Sequence, residues 1–287
     1  MGKKEKRKKK KKKGGFRATD LVIIAVAVVV LAVSGYKLAG IFLEYKAGED
    51  AYDALTEQYV VHIEEEPALP KDAGSKETAA GAVEDVEAEE SVPSIPRIQV
   101  DYSSLKKINE DYVGWLAVPA LQIEYPVVHG ADNDYYLHRT FEKDYNSAGS
   151  IFMDCGGSPD LTDYNTVIYG HNMRNGSMFG KLRRFGQDET LCRKNPYFYI
   201  FLEDKIYQYL IISYYVTTEG SDTYALPMDE VAYEQYKAMA LRNTPYKSEI
   251  EIPQEGRMVT LSTCYGAAGG VQRFVVHGIL VQVLDNE

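Results

Sequence analysis

The twenty-three residues from Leu21 to Leu43 carry a single charged side chain, Lys37, and the first thirteen, LVIIAVAVVVLAV, are aliphatic throughout. About 20 apolar residues suffice for a helix to span a bilayer. Residues 1–17, directly before this run, hold eleven Lys/Arg against one Glu. Such cations stay on the cytoplasmic side, held by the positive-inside bias and by anionic lipids. The pattern predicts a basic cytoplasmic tail over 1–20, an uncleaved single-pass helix over 21–43, and everything later in the chain outside the cell. A cleaved signal peptide is the rival reading, because a strictly apolar run of thirteen fits its core. However, no convincing A-x-A site precedes a mature start, and apolar character resumes at Leu38. The run Lys3–Lys13 has the composition of a nucleic-acid patch, but its place beside the apolar segment assigns it to the membrane surface. No nucleic-acid partner is expected.

The net charge of −10 conceals a division of the chain. Residues 44–90 carry fifteen Asp/Glu against three Lys. Within them, 44–63 reads as a stalk helix, with Tyr45, Tyr52, Leu55 and Tyr59 near helical spacing. Residues 64–96 are acidic and rich in Ala, Gly, Ser and Pro, too poor in apolar side chains to order themselves, and read as a disordered linker. The expected division is therefore a stalk and linker over 44–94 and a globular domain over 95–287.

That domain opens with DYSSLKKINEDYVGWL, a short helix leading into a strand. Short β-like runs follow: IEYPVVHG, SIFMD, NTVIYGHN, IYQYLIISYYVTT, RMVTLSTC and QRFVVHGILVQV, separated by turn residues. Many short strands with Gly, Asp and Asn breaks suggest a closed or nearly closed, mostly antiparallel barrel. One helix interrupts them, MDEVAYEQYKAMALRN, ended by Thr244-Pro245. The fold class expected is mainly β with a few peripheral helices.

The three cysteines, Cys155, Cys192 and Cys264, leave at least one free thiol in an exported chain. Cys264 ends the alternating strand Met258–Thr263, at the turn GAAGG, and the next strand starts at Gln272-Arg273. If the two strands pair antiparallel, Cys264 and Arg273 face the same end of the sheet. A guanidinium there stabilises a thiolate or a developing oxyanion. A cysteine nucleophile also needs an acid/base. His62 lies in the stalk. His129 and His138 flank the ADND turn. His277 lies four residues past Arg273, about 13 Å down the strand. His171 follows the strand TVIYG at its mouth. Position excludes His62, sets His277 too deep to reach the end where Cys264 lies, and favours His171 while leaving His129 and His138 open.

TLSTC with the downstream Arg273, together with NTVIYGHN, resembles the signature of the sortase family, which belongs to Gram-positive bacteria. The segment NEDYVGWLAVPALQIEYPVVHGADNDYYLHRTF and the long helix before TLSTC are similar to class B members. The resemblance covers about 95–287. It implies an eight-stranded closed barrel and a membrane-anchored cysteine transpeptidase. Carried over residue by residue, Cys264 matches the nucleophile, His171 the proton shuttle, and Arg273 the group that positions the substrate and stabilises the oxyanion. Ser262 and Thr263 precede the cysteine as in the family, Thr263 offering a backbone N–H to the oxyanion. Many class B members have an acidic or polar residue directly after the cysteine motif, where this chain has Tyr265-Gly266. The implied substrates are secreted surface proteins with a C-terminal sorting motif, and the implied acceptors are an amine of peptidoglycan precursor or of a pilin. No cofactor is implied.

Two other readings meet this one. A secreted cysteine peptidase of the usual kind has Cys before His, the reverse of the order here. A scaffold module with Cys264 as a buried strand cysteine leaves unexplained why Cys264, Arg273 and His171 all fall at strand ends. No C-x-x-C or H-x-x-x-H spacing points to a metal, and neither acidic turn, ADND or DCGGSPD, matches an EF-hand loop. Cys155 and Cys192 read as incidental thiols.

Overall fold

The computed structural model describes residues 18–63, 95–267 and 269–286. Most of the basic tail expected over 1–20 and nearly all of the acidic linker expected within 44–94 lie outside the described residues.

Helix α1 runs Ala18–Tyr59, followed by β1 (Val60–His62), β2 (Ile98–Val100) and α2 (Tyr102–Ile108). Then come β3 (Tyr112–Val118), β4 (Ile123–Val128), β5 (Ile151–Met153), β6 (Asn165–Tyr169), α3 (Thr190–Lys194) and β7 (Tyr197–Phe201). The last elements are β8 (Lys205–Thr218), α4 (Glu230–Asn243), β9 (Met258–Cys264) and β10 (Gln272–Asp285). The chain divides into two compact units, Met1–Lys46 and Ala47–Glu287.

In the first unit the apolar side chains from Leu21 to Leu43 are exposed, and the helix is long and apolar enough to cross a membrane. In the second unit α1 continues, with Gly48, Tyr52 and Leu55 buried at helical spacing. A Cβ on Gly48 would meet Asn146 Oδ1 at 2.8 Å, so the helix backbone itself lies against the β4–β5 connection. The helical reading of 44–63 needs one correction. Helix ends at Tyr59, and the β-branched pair Val60-Val61 pairs with Val100 and Gln99 in an antiparallel ribbon. β-branched side chains are restricted in a helix and fit the pleat of a strand.

The barrel closes in the order β10-β8-β7-β3-β4-β5-β6-β9. Six of its strand pairs are antiparallel. Two are parallel, β4 with β5 and β6 with β9. Parallel neighbours need a long crossover, and two segments supply it: residues 129–150 between β4 and β5, and the excursion through β7, β8 and α4 between β6 and β9. Strand β7, YFYIF, adds to the strands that the sequence predicts. Four of its five residues are buried, and a fully buried strand loses the alternation that marks one.

The core is continuous around the barrel, with Trp115, Leu116, Ile151, Ile168, Leu210, Leu261 and Val276 essentially without exposure. Helix α4 starts where the Asp229 side chain accepts from Ala232 N–H. It stops before Thr244-Pro245 because proline disfavours helix in the residue ahead of it. Its Tyr233, Tyr236 and Ala240 pack on Leu210, Ile212, Met258 and Ile279, closing one side of the barrel.

Candidate active site

Strands β9 and β10 pair antiparallel with Cys264 directly opposite Arg273. The turn between them holds because Tyr265 N–H donates to Gln272 O at 2.9 Å and because Gly266 and Gly269 adopt positive φ, which side chains resist. Burial runs from Met258 to Thr263 and breaks at Cys264, which is exposed at the rim.

The parallel ladder between β6 and β9 sets the other half of the site. Tyr169 is the register partner of Ser262, Gly170 N–H donates to Ser262 O at 3.1 Å, and Thr263 Oγ1 donates to Gly170 O at 2.8 Å. His171 therefore emerges at the same rim as Cys264. The next residue ties the two chains together, since Asn172 Nδ2 donates to Cys264 O at 2.8 Å. Gly170 is required here, because a Cβ would fall 2.4 Å from Ile151 Cδ1 and 2.7 Å from Phe179.

His171, Cys264 and Arg273 line one cleft of about 350 Å³, walled by Leu137, Phe152, Tyr169 and Tyr224. Other spaces of comparable size, about 420 Å³ beside Tyr52 and about 440 Å³ beside Tyr112, contain no cysteine.

The His171 ring is partly buried, and its Nε2 lies 2.7 Å from Leu137 O. A carbonyl only accepts, so Nε2 carries the proton and Nδ1 is the free lone pair of the neutral ring. Burial holds the ring below the ordinary histidine value, against the opposing pull of the Leu137 carbonyl. The His138 ring, stacked on it at 6.0 Å, pushes the same way as burial. His171 is thus an uncharged imidazole at neutral pH.

Arg273 is held on two sides. Its Nη2 pairs with the Glu219 carboxylate, and its Nη1 donates to Gly270 O at 2.8 Å and Gln272 O at 2.9 Å. Ser262 and Thr263 are both buried with their hydroxyls engaged, Ser262 with Tyr224 OH at 2.8 Å and Thr263 with Gly170 O.

None of His62, His129, His138 and His277 lines the cleft. His277 is opposite Thr260, fully buried, with its nitrogens 3.0 Å from Thr260 Oγ1 and 3.1 Å from Tyr215 OH. Burial pushes its pKa down to about 3. His62 pairs with Glu124 at 3.4 Å. Cys155 and Cys192 are free thiols, and burial pushes the Cys192 thiol up to about 12. Among the described residues, no group of three or more His, Cys, Asp or Glu is arranged to hold a metal.

Four contributors escaped the sequence reading: Leu137, Asn172, Glu219 and Tyr224. Asn172 stands inside the run NTVIYGHN. Glu219 carries a signal only once the β8–β10 register is known.

The Sortase domain family model matches residues 116–281. Sortase B of Listeria monocytogenes serovar 1/2a is 33% identical over 177 residues, covering 58% of this chain and 68% of the relative. The X-ray structure of Clostridium perfringens sortase B is 33% identical with a TM-score of 0.58, covering 63% of this chain and 99% of that one. The Staphylococcus aureus sortase B–substrate complex is 29% identical with a TM-score of 0.58, covering 63% and 84%.

Proposed function

This chain belongs to the sortase family of cysteine transpeptidases, with class B relatives, and from that premise we propose that Cys264 is the nucleophile, His171 the proton shuttle and Arg273 the oxyanion-side cation. The single observation that carries the assignment is the meeting of these three side chains in one cleft at one barrel rim.

In the first half-reaction the Cys264 sulfur attacks the carbonyl of a Thr in the sorting motif, and the Nδ1 lone pair of His171 takes the thiol proton. Negative charge develops on the carbonyl oxygen, where the Arg273 guanidinium is the donor at hand; the Thr263 N–H expected for this role is directed at Phe274 in the β9–β10 ladder. The C–N bond then breaks, His171 returns the proton to the leaving amine, and a thioester remains on Cys264. An amine of peptidoglycan precursor or of a pilin attacks the thioester, His171 accepts its proton, and the thiol is regenerated. One amide replaces another, so no nucleotide is consumed. The proposed setting is the outer face of the cell membrane, with residues 1–20 cytoplasmic, 21–43 spanning, 44–94 as stalk and linker, and 95–287 carrying the chemistry.

The test uses the full chain in detergent, a pool of short peptides carrying C-terminal sorting sequences, and hydroxylamine as the acceptor amine. Wild type is expected to form peptide hydroxamates and to carry a peptide thioester on Cys264 by mass spectrometry. Cys264→Ala is expected to do neither while melting at the same temperature, because the side chain is exposed. Hydroxamate formation by Cys264→Ala would sink the assignment.

A further inference from the structure

Arg273 lies between two neighbours in the sheet, Cys264 of β9 on one side and Thr217 of β8 on the other. Glu219 comes two residues after Thr217. The two-residue alternation of a strand puts it on the same face, diagonal to Arg273, within reach of long side chains. The ladder continues far enough to fix that placement: Thr218 pairs with Gln272, and Glu219 N–H donates to Val271 O at 2.9 Å. At Gly220, with φ of +74°, the chain turns away. The Glu219 carboxylate thus meets Nη2 of Arg273, while Nη1 is occupied by the Gly270 and Gln272 carbonyls. Two separate anchors leave the guanidinium little freedom about its long stem.

The Glu219 side chain is 56% exposed, and exposed pairs contribute little to folding. An unrestrained arginine, by contrast, must be ordered anew each time it meets a developing charge, which opposes the preorganisation on which such stabilisation depends. Resting on the reading of Arg273 as the oxyanion-side cation, we infer that Glu219 is a positioning residue that fixes the Arg273 guanidinium beside Cys264. The carboxylate comes from the end of β8, whereas the position directly after the cysteine motif is filled by Tyr265.

Hydroxamate formation by the full chain in detergent, with the pool peptide that wild type turns over fastest, separates the possibilities. Glu219→Gln is expected to lower kcat about tenfold, less than the 10²–10³ typical for loss of an oxyanion donor itself, with KM within about twofold and the melting temperature unchanged. In an Arg273→Lys background the same replacement is expected to change nothing further, because Glu219 acts only through the guanidinium. Four outcomes overturn the inference: unchanged kcat in Glu219→Gln, a loss confined to KM, a full additional loss in the Arg273→Lys background, or a loss matched by a fall in melting temperature. Turnover surviving in Arg273→Ala instead overturns the reading of Arg273, whatever Glu219 does.

Discussion

Two histidines in the same barrel show how environment separates roles. His171 sits at a rim with one nitrogen bound to a carbonyl, while His277 sits in the core with both nitrogens bound to hydroxyls. A proton acceptor must be neutral to begin with, so its contribution is present above its pKa and lost as pH falls through it. Because burial lowers the His171 value, the acid limb of kcat/KM is expected below the ordinary 6.5. His171→Ala is expected to remove nearly all turnover, while His277→Gln keeps most of it. His277 should instead mark stability. Its folded value of about 3 lies below the unfolded one, so its stabilising contribution is full above 6.5 and is lost as pH falls from 6.5 toward 3. Thermal midpoints measured across that window should fall more steeply for wild type than for His277→Gln. If His277→Gln proved the more damaging change to turnover at a pH where both variants are folded, the acid/base assignment would be wrong.

At the scale of elements, the last turns of α1 are part of the compact unit that carries the site. Tyr52 is buried, packs edge-on against Tyr125 at 5.3 Å, and donates from its hydroxyl to Gly149 O at 2.7 Å. Gly149 and Ser150 lead straight into β5, whose Phe152 walls the cleft. Truncating a buried aromatic costs about 3–5 kcal/mol, and Tyr52→Ala should lower the melting temperature accordingly. The same packing predicts that a fragment beginning at Ala47 melts above one beginning at Ile95, which lacks both α1 and β1. Coincident midpoints for the two fragments would show that the helix rests on the barrel without stabilising it.

At the scale of the whole molecule, what the sequence disclosed was what local signals encode. Met258–Thr263 alternates and ends at Cys264, so the β9–β10 hairpin and the Cys264–Arg273 pairing could be read directly. The strand TVIYG placed His171 at a mouth for the same reason. The parallel β6–β9 pairing, the burial of β7, the β1–β2 ribbon and the Glu219–Arg273 contact depend on register between segments far apart in the chain, which no local pattern carries. The apolar run Leu21–Leu43 is the opposite extreme, a signal that needs no register at all. As a helix it is about 34 Å long at 1.5 Å per residue, against about 30 Å of hydrocarbon. Its exposed Leu, Ile and Val side chains are costly in water and favourable in lipid. The full chain should therefore sediment with membranes and resist extraction by high salt, whereas the fragment from Ala47 should be soluble. All the cleft residues named here fall within that fragment, so its kcat/KM on a free peptide should match the full chain in detergent within about twofold. Transfer to an acceptor embedded in membranes should fall far more, because the fragment has lost its confinement to the same surface. Equal transfer to the embedded acceptor would remove the proposed purpose of the anchor, and a full chain found free in the soluble fraction would remove the anchor itself.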